Sequence, residues 1–470
     1  MSAGRFSVAL LLVLAGFAVQ APVVARSPHQ VSALELKPQM RGVPLQPHAL
    51  YLLDKGDGAG RFQSVREIRA RSEEFSAMQD NSFGYSTGVL WVRFRIKNPQ
   101  SERLRLFLEY DFPPFDDIQV YRFRSGSEES GLLEPVARGG DRHRFSQREV
   151  DFRNVVFPFE QEAGSQYEYL LRLQTSSSLV FALNVYTGEE LGSYIGNEQI
   201  VLGLYYGIML AMVVTNLFFL VSTRDRTYLF YLLYILAYVL FQATLNGLTF
   251  QYLWPESVEW ANNSLPFFIF LACMGILVFC RSFLNARQHT PGTDRLYWIV
   301  IVFNAAGLFS ALFLFDYRIN LIAAVLLTLT TLALVLANGI HTFVLGVRQS
   351  RFFLAAWALF LLGGGLNVLK SAGLLPDTWI TTYGIQIGSA LEVMVLSLGL
   401  GDRINQLSNS LQRNVKELRV ARSESEIVGI RLRNLVEEAD DFIFTLDELW
   451  NFTMVNKAFQ RNLKYSQEEL

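Results

Sequence analysis

The chain has 470 residues, of which 51% are hydrophobic, 13% aromatic and only 18% charged, with a formal net charge of −2. Soluble domains carry about 25% charged residues, so the composition points to a membrane protein, and the near-neutral balance excludes a globally basic nucleic-acid binder. The two cysteines, Cys273 and Cys280, fall in one apolar run, have a poor metal-binding spacing and leave no disulfide for the first 190 residues.

The N-terminus has the pattern of a secretory signal over residues 1–25. Arg5 supplies the positive flank, Phe6 to Val19 form the apolar stretch, and Val19-Gln20-Ala21 or Val23-Val24-Ala25 offers a cleavage site. An uncleaved anchor is disfavoured, because the stretch is shorter than the ~20 residues a spanning helix needs.

Residues 40–190 have a β rhythm. In "GVLWVRFRIKNP", Leu90, Val92, Phe94 and Ile96 face one way and Trp91, Arg93, Arg95 and Lys97 the other, and Asn98-Pro99 closes the strand. "RLRLFLEY", "DIQVYRFR", "VDFRNVVFPF", "YEYLLRLQ" and "SLVFALNVY" repeat the pattern between turn residues. Short strands without helical periods between them predict an antiparallel sandwich or jelly roll. Trp91 is expected on the polar face, where an exposed ring flanked by Arg93 and Arg95 would stack on a sugar or sit in a protein interface; coverage by another element is the alternative. Tyr110, with Phe112 and Phe115, is a further ligand-contact candidate or a plug at the end of the sandwich.

Seven apolar segments follow within 198–401, near 199–222, 228–248, 264–282, 297–315, 320–345, 352–373 and 384–401. One set of loops contains Arg224, Arg226, Arg281, Arg287, Arg295, Arg348 and Arg351, the other only Arg318 and Lys370. The positive-inside rule then places the β domain outside and the C-terminal segment in the cytoplasm. Glu392 is a mid-span charge and must face the bundle, find a partner or be protonated. His341, with Asn338 one turn before it, is its candidate partner from the fifth span, and Gly363-Gly364-Gly365 in the sixth allows close helix packing. A transporter would show internal repeats and several intramembrane charges, and an intramembrane protease needs more than Ser389 near Glu392.

Beyond the seventh segment, Ile404, Leu407, Leu411, Val415 and Leu418 recur every three or four residues. They predict an amphipathic linker helix over 402–436 able to pair with its copy. The period then switches to β: "DFIFTL" and "NFTMV" flank a turn at Asp447-Glu448, Asn456 caps "KAFQRNL", and Ser466 with Glu469 forms a capping box for another helix. Residues 437–470 are too few to bury a core, so the chain is expected to continue.

Together these stretches resemble the bacterial seven-transmembrane receptors with diverse intracellular signalling modules. "LWVRFRIKNP", "YEYLLRLQTSSSL", "RDRTYLFYLLY", "NGLTFQYLWP" and "LEVMVLSLGLGDRIN" carry the likeness over about residues 40 to 405. The tail is similar to the start of a PAS domain, departing from it at Lys464, where glycine is common, and at Glu448-Leu449-Trp450. The resemblance implies a multidomain protein of the bacterial inner membrane: an all-β jelly-roll ectodomain, a seven-helix bundle, a helical linker and a truncated α+β PAS domain. It implies a ligand that is a periplasmic carbohydrate or a partner receptor ectodomain, and a homodimer or a heterodimer with another sensor kinase. The missing output is expected to be a histidine kinase, with a diguanylate cyclase or a truncated, binding-only receptor as alternatives. No catalytic motif, metal site or particular cofactor is indicated.

Overall fold

The computed structural model describes residues 31–54, 65–78, 81–84, 88–124, 134–314, 317–371, 375 and 378–464. The predicted signal sequence and the Ser466–Glu469 capping box lie outside them. Residues up to Gly399 form one compact unit and those from Leu400 a second.

The first unit opens with a β-sandwich. One sheet contains β1 (Leu34–Glu35), β3 (Ala49–Asp54), β4 (Ser76–Ala77), β5 (Val89–Lys97), β7 (Asp117–Arg124), β8 (Ala137–Gly139) and β10 (Gln166–Gln174). Its order is β4-β3-β5-β10-β7-β8, with β1 parallel to the end of β5. The other runs β2 (Val43–Pro44), β11 (Leu183–Thr187), β6 (Leu104–Tyr110), β9 (Val155–Gln161). Pro44 and Pro158 fall in the two strands at its edges, where a missing N–H breaks no interior ladder. Leu90, Val92, Phe94 and Ile96 point between the sheets, where Phe94 stacks on Tyr169 at 5.3 Å.

The alternation places Trp91 on the opposite face of β5, yet its ring is only 2% exposed. A short helix, Val65–Ala70, lays Val65 and Ile68 over that face, and Trp91 packs with them and with Phe75, Tyr121, Phe123 and Leu170. The expectation of an exposed, sugar-stacking tryptophan is corrected by this cover. Tyr110 is fully buried in the main core beside Phe115 and donates its hydroxyl to the Val180 carbonyl, so it too presents no ring to a ligand.

Among the described residues, seven helices are long and apolar enough to cross a membrane: Gly188–Thr223, Arg226–Leu245, Val258–Phe283, Pro291–Phe313, Tyr317–Val344, Gln349–Ser371 and Gly384–Glu438, called spans 1 to 7 below. Asp225 caps span 2 by accepting the Thr227 N–H at 2.8 Å. The three glycines of span 6 are not equivalent. A Cβ on Gly363 would lie 2.1 Å from the Gly384 carbonyl oxygen, so glycine there lets span 6 touch the start of span 7, while Gly364 and Gly365 face open space. Cys273 and Cys280 are free, buried thiols.

In the second unit the helical stretch ends at Glu438, and Leu411, Val415 and Leu418 leave an exposed apolar stripe along it. A hairpin of β12 (Phe444–Leu446) and β13 (Phe452–Val455) follows, then a helix, Lys457–Leu463. Asn456 is the pivot. Its Oδ1 accepts the Phe459 N–H as helix cap, and its Nδ2 donates to the carbonyls of Val436, Ala439 and Asp441. Phe442, Phe444, Phe452 and Phe459 cluster beside it. Trp450 and Lys464, the two departures noted in the sequence, both have positive φ, at 66° and 57°.

Candidate functional site

The sandwich rests directly on one end of the bundle. β11 ends at Thr187 and span 1 begins at Gly188, so no linker separates strand from helix. β11 lies between β2 and β6 in its sheet, which gives the first turn of span 1 a rigid base.

Eleven residues into the helix, Glu198 meets Arg153, from the loop before β9. The guanidinium forms a forked ion pair, Nε to Oε2 at 3.0 Å and Nη2 to Oε1 at 2.5 Å, with side chains 11% and 7% exposed. Nη1 also donates to the Asn246 carbonyl at the end of span 2 (3.3 Å), and Asn246 Nδ2 donates to the Tyr206 hydroxyl of span 1. One ectodomain arginine thus joins two spans. Burial alone would lower its pKa; the carboxylates of Glu198 and then Asp111 outweigh burial and hold the guanidinium above its ordinary value.

The next residue extends the network. Asn154 Nδ2 donates to Glu109 Oε1 at 2.7 Å and to Asp111 Oδ1 at 2.9 Å, bridging two carboxyls at the end of β6. Burial, and then the charge of Asp111, push the Glu109 carboxyl well above the usual carboxylate range. The Tyr186 hydroxyl is near enough to act on that carboxyl, but Oε2 has no donor in hydrogen-bonding geometry.

The loop from Gly140 to Arg153 makes further contacts. The Phe145 N–H donates to the Pro255 carbonyl, and its ring meets Phe250 edge-on, with the Arg148 guanidinium over both. Gln251 donates to Asp151 Oδ1, and Ser177 and the Tyr317 hydroxyl of span 5 lie 2.5 Å apart. Gly247, between span 2 and the following turn, has φ +76°, and a Cβ there would come within 2.8 Å of Pro113 and 3.1 Å of the Arg153 carbonyl. A narrow cleft remains, lined by Asp141, Arg148, Thr249, Asn262 and Tyr317 among others. Burial, followed by the Asp116 charge, pushes the Asp141 carboxyl up to about 8.

Two other predicted sites take different forms. Arg93 donates to Glu168 at 2.7 Å, with Arg95 at 3.6 Å and Arg69 at 3.8 Å from the same carboxylate. Among the described residues, three guanidinium groups against one carboxylate leave a surplus positive charge beside the covered Trp91. Inside the bundle, Glu392 is fully buried, but its partner is Tyr234 of span 2, whose hydroxyl lies 2.9 and 3.1 Å from the two carboxyl oxygens. The expected partners from the fifth span lie elsewhere: Asn338 accepts from Thr290, and His341 is exposed. Among the described residues, no group of three His, Cys, Asp or Glu side chains is arranged to hold a metal.

Arg153 and Glu198 were not singled out from the sequence. The only available signal was an acidic residue at the mouth of an apolar run, where a solvated headgroup position serves equally well. Residues 47–187 match the family model described as 7TMR-DISM extracellular 2, and residues 198–403 match that described as 7TM diverse intracellular signalling. No curated protein matches the chain.

Proposed function

Because the chain belongs to the seven-transmembrane receptors with diverse intracellular signalling modules, we propose that it senses a ligand outside a bacterial inner membrane and passes the event through the Arg153–Glu198 joint into spans 1, 2 and 7. The linkerless passage from β11 into span 1, locked by that buried ion pair, carries this reading. A displacement of β6, β9 or β11 has no slack in which to be absorbed before it reaches the helices. The orientation has two supports. The sandwich packs on the end holding Asn246, Gln251, Pro255 and Tyr317. The seven arginines read from the sequence fall at the other end, in its loops or in the helix turns beside them.

With Trp91 and Tyr110 buried, recognition is assigned to the Arg69–Arg93–Arg95 patch, which suits an anionic group on a carbohydrate or an acidic face of a partner ectodomain. On the inner side, the exposed stripe of Leu411, Val415 and Leu418 pairs with its copy, and the hairpin unit is the start of a PAS module feeding a histidine-kinase output. In the full chain in membranes, a cysteine at Leu418 should form a disulfide with its copy, and Arg153→Ala should change the rate of that reaction several-fold. No cross-link would remove the pairing; an unchanged rate would remove the joint from the relay.

A further inference from the structure

The polar chemistry of the bundle does not stop at the joint. Inward from Glu198 and Asn246, spans 1, 2 and 7 share a buried seam in which Tyr205 of span 1 lies 3.2 Å from Ser389 of span 7. One turn further in, Tyr234 meets Glu392, and below that the Tyr231 hydroxyl donates to the Val393 carbonyl at 2.6 Å. Among the described residues, Glu392 is the one carboxyl in this seam, and it is fully buried.

Its surroundings do not suit a carboxylate anion. Two ionised oxygens offer about four acceptor sites, and the only hydrogen-bond donor to either among the described residues is the Tyr234 hydroxyl, which has one proton to give. The titratable groups facing it are all acids that are neutral at ordinary pH: Tyr205 from span 1, Tyr231, Tyr234 and Tyr238 from span 2, and Cys280 from span 3. Among the described residues it has no lysine, arginine or histidine in ion-pair range. A charge so placed, out of water and without a counter-ion, is strongly disfavoured. A neutral acid fits the same space, its carbonyl oxygen accepting from Tyr234.

A second observation shows how a proton would come and go. Between Glu392 and the ectodomain end, both polar atoms of the Gln242 side chain and Oε1 of Gln386 are buried without a protein partner. Gln242 lies one turn outward of Tyr238, and Gln386 one turn outward of Ser389. Buried amides without a protein partner are suited to binding water, and the route these two mark leads toward the ectodomain end.

We propose that Glu392 is a proton-binding site of the bundle, exchanging with the ectodomain side through the seam between spans 1, 2 and 7. Loss of that proton places a charge between spans 2 and 7 and drives them apart to admit water. External alkalinity is then a second input to the bundle, acting on the helix that continues past the membrane. The site does not depend on the relay through Arg153, and it is measured without any output module.

The test is infrared spectroscopy of the full chain in lipid nanodiscs, comparing the wild type with Glu392→Gln at neutral pH. The expected difference is a carboxylic-acid carbonyl stretch that is lost in the variant and fades in the wild type only under alkaline conditions. Tyr234→Phe keeps the acid but removes its donor, so the same band should shift. Gln242→Leu should slow the deuterium shift of the band several-fold when heavy water is added outside sealed vesicles. Carboxylate stretches from Glu392 at neutral pH, with or without sodium, would overturn the proposal, as would an acid band unmoved by Tyr234→Phe. An unchanged exchange rate in Gln242→Leu would overturn the outward route.

Discussion

Arg153→Ala strands a buried carboxylate. Glu198, whose side chain is 7% exposed, would lose both arms of the guanidinium fork, at 2.5 and 3.0 Å. Asp111, 43% exposed, can turn to water, so the cost falls on Glu198. Removing one partner of a buried ion pair costs about 3–5 kcal/mol, against about 0–1 kcal/mol for an exposed one. For a domain of the sandwich's size, at about 2–4 °C per kcal/mol, the ectodomain melting midpoint should fall by about 10 °C in the full chain in nanodiscs. The double variant Arg153→Ala/Glu198→Ala leaves neither charge stranded and should recover at least half of that loss. A fall of less than about 2 °C in the single variant, or a double variant equal to the sum of the singles, would refute the buried-lock account of the joint.

Three further outcomes follow from the same geometry. Trp91→Ala should lower ectodomain stability by about 3–5 kcal/mol, as for other buried aromatic truncations, seen in thermal unfolding; a selective loss of ligand affinity with unchanged melting would restore the exposed-ring reading. Gly247→Ala sets a side chain at φ +76° and against Pro113, so it should destabilise the joint by about 1–3 kcal/mol, measured as faster proteolysis of the loop from Gly140 to Arg153. Asp141 has its folded pKa raised from 3.8 to about 8 by burial and Asp116. Its contribution is fully present below the unfolded value and declines as the pH rises through that window, because the unfolded chain ionises first. The melting midpoint should therefore fall with rising pH between about 4 and about 8, and Asp141→Asn should flatten that slope; an unchanged slope would assign it to other groups, such as Glu109.

Local pattern was enough for whatever depends on neighbouring residues alone. Alternation put Leu90, Val92, Phe94 and Ile96 on the core face, because side chains along a strand alternate whatever lies above them. The seven apolar helices were legible because each satisfies its own backbone hydrogen bonds and needs only length and hydropathy. The Asn456 cap was legible because its donor is three residues away. Tertiary structure decided everything that depends on which distant residue arrives. Trp91 sits on the face that alternation assigned it, but the helix Val65–Ala70 buries it, and no period in β5 carries information about that cover. The need of Glu392 for a partner was written in its position, whereas the choice of Tyr234 over His341 depended on spans 2 and 7 packing side by side. Arg153 and Glu198 are separated by 45 positions and belong to a loop and a helix. Each alone is an ordinary charged residue, and only the docking of the sandwich on the bundle takes both out of water and makes one buried lock of them.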